Sequence, residues 1–155
     1  MENANSLIPF LPDQNQLAKG LSDSNTLAAR YGLILVAGDI KTLLHRQQDV
    51  LRETNRIEFG SGPYEKLIYA LCDSPYIDQS TYADTLGELC ELFYRFKSES
   101  GEIWSDDELI EKMADLFNGA CYGAVELVSD RLWQSLHTEP ETIDDEDEED
   151  DEPLE

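Results

Sequence analysis

Residues 78–118, DQSTYADTLGELCELFYRFKSESGEIWSDDELIEKMADLFN, decide the fold. Tyr82, Leu86, Leu89, Phe93 and Phe96 recur at intervals of three and four, which a helix of 3.6 residues per turn gathers into one apolar face. Asp78 is the candidate N-cap of that helix, and Gly101, free to take a left-handed backbone, ends it. Ser105-Asp106-Asp107-Glu108 then forms an S-x-x-E capping box, in which hydroxyl and carboxylate each satisfy a backbone amide the helix leaves over. Leu109, Ile110, Met113, Leu116 and Phe117 are the inward face of this second helix, and Asn118-Gly119 closes it.

The same period extends outward in both directions. Ile40, Leu43, Leu44, Val50 and Leu51 predict a helix over Ala37–Thr54; Leu67, Ile68 and Leu71 predict one over Tyr64–Leu71. Val125, Val128, Leu132 and Leu136 predict a last helix from about Tyr122 to His137. A first helix is expected over Asp23–Tyr31, with Ser22 or Ser24 as its cap and Gly32 as its left-handed terminator. Leu33–Val36 is apolar enough for a strand but has no partner strand, so it reads as a buried connector. No internal repeat is detectable. The expectation is an all-α chain: a single compact bundle of about six helices over 21–138, an extended N-terminal arm over 1–20 and a disordered acidic tail over 139–155. Pro9 and Pro12 exclude a regular helix from the arm, while Leu7, Ile8, Phe10 and Leu11 favour a strap docked on the helices.

Charge is divided unevenly. Of the 34 acids, twelve lie in Glu139–Glu155, which has no Lys or Arg; the net charge of −23 is thus about −12 on the tail and −11 on the rest. Phosphate backbones and anionic membranes are repelled by both parts, which argues against nucleic acid and membrane as partners. The exception is imitation: a chain this acidic can occupy a basic protein in place of nucleic acid. The N-terminus lacks a basic leader, and no apolar run approaches the roughly 18 residues of a membrane span. Cys72, Cys90 and Cys121 are odd in number, widely spaced and without a CxxC, which suits a reducing cytoplasm and free buried thiols.

Patterns that carry chemistry are weak. The Gly101–Leu109 stretch resembles the end of a calcium loop. Placing Gly101 at loop position six, however, puts Phe96 where the first oxygen ligand belongs, and Glu108 arrives one residue late. The loop Asp73–Asp84 fails similarly at Pro75 and Asp78. His45 and His137 make no HxxxH pair, so no zinc set exists by local spacing. Cys121, ahead of the last helix, is the best-placed thiol for a lowered pKa. Gly60-Ser61-Gly62 before a helix could cradle an anion or simply turn tightly. No GxSxG, Walker A or GxGxxG occurs, so no catalytic residue and no cofactor is assigned. The densest polar and aromatic groups flank the third helix: Arg52, Glu53, Arg56, Glu58 and Phe59 before it, and Asp73 and Tyr76 after it. Arg52, Arg56, Glu58, Phe59, Asp73 and Tyr76 are therefore the candidate binding residues, because loops carry recognition more often than core positions do. Helix 3 separates the two loops by about 12–15 Å, so they can belong to related surfaces.

LRETNRIEFGSG, CDSPYI, ELFYRFKSESG and SDDELIEKMADLFNG together resemble a family of uncharacterised small helical bacterial proteins, a domain of unknown function found mostly in Firmicutes. The resemblance spans about residues 5–137. It implies a small helical cytoplasmic protein and implies no activity. The chain departs from that pattern at Val36, where a Ser or Thr cap would precede the second helix. The functional expectation is a non-catalytic protein–protein interaction or regulatory module with a protein partner. The alternative is an acidic decoy or holdase that takes basic proteins through its tail.

Overall fold

The first helix begins nine residues before the expected position. The computed structural model describes residues 14–142, with side chains to 136, and α1 runs Gln14–Ala28 before a 3₁₀ turn at Ala29–Tyr31. Leu17, Leu21 and Ala28 share its buried stripe, so the apolar period starts ahead of Ser22. Pro12 lies before the helix, where it obstructs nothing. Ser24 does not cap; its hydroxyl donates back to the Gly20 carbonyl at 3.0 Å. Seven residues assigned to the arm are thus helical, and the expected strap at Leu7–Leu11 lies outside the described residues.

The other helices are α2 (Ala37–Thr54), α3 (Tyr64–Leu71), α4 (Tyr82–Ser100), α5 (Asp106–Asn118) and α6 (Val125–Thr142). The described chain is all-α, with no strand, as the periodicity predicts. The α4 face Tyr82, Leu86, Leu89, Phe93 and Phe96 is buried throughout, and the Ser105–Glu108 capping box closes at 3.0 and 3.1 Å. Gly32 and Gly101 are both left-handed terminators. α2 starts at Ala37 even without a Ser or Thr cap, because the Asp39 carboxylate accepts from the Val36 amide at 3.2 Å. Asp78 acts one turn earlier than expected. Its carboxylate accepts from the Ser80 and Thr81 amides, so it organises the turn that leads into α4, and Thr81 holds the cap position. At the other end, α6 continues four residues into the expected tail, with Pro140, which donates no backbone hydrogen bond, inside that extension. The remainder of the tail, 143–155, lies outside the described residues.

Leu33–Val36 is a connector, but only half of it is buried. Leu33 and Leu35 turn inward, whereas Ile34 and Val36 are exposed, the alternation of extended backbone. Side-chain amides replace the missing partner strand. Asn25 bonds the N–H and C=O of Leu35, and Gln79 bonds those of Ile34, all at 2.8–2.9 Å.

The helices make two layers. α1, α3 and α5 lie side by side, as do α2, α4 and α6, and each odd helix packs on the even helix that follows it. Cross-helix contacts run in step within a layer: Lys66 of α3 bonds Asp107 of α5 near their starts, and Ser74 past the end of α3 bonds Asn118 at the end of α5. Arg46 reaches Glu91, and Arg95 reaches Glu53, between α2 and α4. Neighbours within a layer are therefore parallel and the layers antiparallel. The chain is three helix pairs stacked in a row, a repeat of structure that leaves no repeat visible in sequence.

Candidate interaction surface

Up-and-down alternation fixes where each loop falls. The α1–α2, α3–α4 and α5–α6 connections share one end of the stack, and the α2–α3 and α4–α5 connections share the other. The two loops that flank α3 are consequently at opposite ends, and the six residues singled out from sequence do not form one site.

At the α2–α3 end, Arg56 donates to Ser98 Oγ at 3.2 Å and pairs with Glu102. Glu58 accepts the Tyr94 hydroxyl at 2.6 Å and the Gly60 amide at 2.9 Å. The cradle expected at Gly60-Ser61-Gly62 thus holds the chain's own carboxylate. Tyr94 in turn accepts from Gln47, which is 1% exposed. Burial and the Glu58 carboxylate hold the Tyr94 phenol protonated well above its ordinary range. Gly62 has φ +83°, and a Cβ there would stand 3.1 Å from Tyr94 Oη and overlap Gln47. These contacts rigidify the loop. Phe59 beside them is exposed, and Arg52 stands apart on α2, paired with Asp49.

The calcium-loop lookalike carries its own cation. Lys97, 6% exposed, aims its ammonium into the α4–α5 turn, where Asp106 lies at 2.6 Å, Glu102 at 3.2 Å and the Trp104 carbonyl at 3.2 Å. A lysine that satisfies these oxygens is a structural substitute for an ion. Among the described residues, no group of three or more His, Cys, Asp or Glu is placed to hold a metal. The thiols are equally closed. All three are buried, Cys121 with 0% exposure; desolvation raises each, and Cys90 is pushed up to about 12. Burial in the turn at 119–124 outweighs any help Cys121 would take from α6. His45 is exposed beside Asp49.

At the opposite end, Tyr76 lies edge-on to the buried Phe117 at 6.5 Å and to Tyr122 at 6.4 Å. Ser74 anchors this loop. Its hydroxyl donates to Asn118 at 2.6 Å and accepts the Tyr76 amide. Gly123, at φ +81°, lets Tyr76 approach so closely that a Cβ would stand 3.0 Å from its ring and overlap its own Cβ. Tyr122 is 71% exposed and itself left-handed, at φ +50°. Such a backbone is costly for a bulky residue and ordinary for Gly or Asn. Exposed Ile34 is bound to the same loop through Gln79, and exposed Asp73 borders it. The result is an aromatic patch on well-anchored loops, with the exposed Asp73 on the same loop as Tyr76. Of the six residues singled out from sequence, Tyr76 and Asp73 lie on this loop, whereas Tyr122 and Ile34 were not among them. Loop parity was the available signal, since connections separated by two helices meet.

Among the described residues, no helix is long and apolar enough to cross a membrane. The chain belongs to a family of unknown function (DUF6323), whose model matches residues 20–142. No curated protein and no solved structure matches it.

Proposed function

We propose that this family member is a non-catalytic protein–protein interaction module that engages its partner through the Tyr76–Tyr122 surface. The observation that carries the reading is Tyr122. An exposed aromatic in a left-handed backbone adds only an edge contact with Tyr76 to the fold, and strain of this kind gathers at functional positions. Tyrosine also suits interfaces: it buries large area with few torsions and keeps a polar tip. Asp73 beside the patch, on a chain of net charge −23, favours a partner whose contact segment is basic. Three free, buried thiols support a reducing, cytoplasmic setting.

Photo-crosslinking from position 76 in the native cell tests this. The expected result is one dominant adduct, lost in Tyr122→Gly and retained when residues 143–155 are deleted. An adduct indifferent to Tyr122 would refute the surface. An adduct lost only on tail deletion would instead support the acidic-decoy reading, in which the C-terminal polyanion carries binding.

A further inference from the structure

The stack of helix pairs has an uncovered edge. Among the described residues, α1 and α2 have helical neighbours on one side only, α3 and α4, and the groove between α1 and α2 is lined by no residue of α3–α6. It encloses about 720 Å³. Ala18, Leu35, Ile40 and Leu44 supply its apolar wall, with Lys19 and Lys41 beside them. Stacked helical repeats need their terminal faces covered, because each pair relies on a neighbour to bury what it cannot bury alone.

We propose that residues 7–11 of this same chain cap the groove. Gln14 and Asn15, the first residues described, line the groove themselves, so the chain upstream of α1 emerges at it. Only Pro12 and Asp13 separate them from Leu7, Ile8, Pro9, Phe10 and Leu11, four of which are large and apolar. A proline resists helix and suits a reversal there. The dimensions agree. The α2 side of the groove runs from Ala37 to Gln48, about 16 Å at helical rise, and five extended residues span about 17 Å. Residues 1–13 contain two acids and no Lys or Arg, so charge does not oppose docking beside Lys19 and Lys41. The groove shares no lining residue with the Tyr76–Tyr122 patch, although Leu35 of its wall follows Ile34 of the patch, and each proposal has its own readout.

The test uses the full chain. Lys41→Cys gives an exposed thiol for a nitroxide, the three native cysteines being buried. The expected result is selective broadening of the Leu7, Ile8 and Leu11 methyl signals, lost in Ala18→Arg and also in Phe10→Ser, which leaves the helices untouched. Unbroadened methyls in the full-length chain would overturn the proposal. So would broadening seen only when spin-labelled and isotope-labelled copies are mixed, since the occupant would then be a second molecule's segment. Broadening of tail residues 143–155 in place of 7–11 would assign the groove to the acidic tail and equally overturn it.

Discussion

Replacing Tyr122 by alanine should destabilise the protein more than replacing it by glycine, the reverse of the usual order in folded segments. At φ +50° any residue with a Cβ bears a left-handed penalty of about 1–2 kcal/mol. Alanine keeps that penalty and loses the edge contact with Tyr76, worth about 0.5 kcal/mol at an exposed pair. Glycine loses the same contact and adds about 0.5–1 kcal/mol of unfolded-state entropy, but it sheds the strain. The glycine variant should therefore lie within about 1 kcal/mol of the wild type and above the alanine variant by a similar amount. In urea, with a slope of about 2 kcal/mol per molar, the two midpoints should differ by about 0.5 M. An alanine variant as stable as the glycine variant, or a glycine variant more than about 2 kcal/mol below the wild type, would refute the reasoning. The first result would remove the strain; the second would make Tyr122 a structural residue.

Gly62→Ala should cost about 2–3 kcal/mol, read by urea denaturation, because it combines a positive φ with overlap on Gln47 in a closely packed polar network. The three thiols should ignore Ellman's reagent in the native state and react together as urea unfolds the chain; rapid labelling of Cys121 without urea would contradict its burial. Glu102 is held below its ordinary value first by the hydrogen bond from Arg56 and then by Lys97. A depressed carboxylate stabilises the fold above its unfolded pKa, and that contribution is lost as pH falls through the folded value. The stability gap between wild type and Glu102→Gln should therefore be open at pH 7 and narrow as pH drops below the ordinary carboxylate range. A gap that widens toward acid would reverse the assignment. Glu88 is raised, first by desolvation and then by Asp84, so Glu88→Gln should stabilise the chain at pH 7 with a gain that vanishes in acid.

The helices were legible because each carries its own instruction. The α4 stripe and the Ser105 capping box need only local spacing, whereas α1 starts early because Pro9 and Pro12 obstruct nothing after themselves and Ser22 and Ser24 lie inside the helix and do not cap it. The site was less legible, for two reasons. Loop residues were grouped by nearness in sequence, whereas an odd number of helices between two loops sends them to opposite ends. Arg56 accordingly meets Glu102, and Tyr76 meets Tyr122. The second reason is that positive φ at Tyr122 has no signature in composition. A tyrosine between Cys121 and Gly123 looks like the first residue of a helix, and only the backbone shows that it is not.

The distribution of cations bears on which surface remains for a partner. Arg46 joins α2 to α4 through Glu91 and Asp84, Arg95 joins them again through Glu53, and Lys66 joins α3 to α5. Arg56 and Lys97 converge on Glu102 and brace the α4–α5 turn. A chain with eleven bases against 34 acids thus commits three of them, Arg46, Arg95 and Lys66, to seams between parallel neighbours. Those pairs are partly exposed and individually weak, but together they offset repulsion where helices lie closest. Most of the other carboxylates among the described residues are exposed, so much of that surface repels other acidic proteins. Tyr76 and Tyr122 supply apolar area inside that field, and Asp73 beside them supplies the charge. A partner that is apolar at its centre and basic at its rim satisfies both. An acidic or purely polar protein satisfies neither.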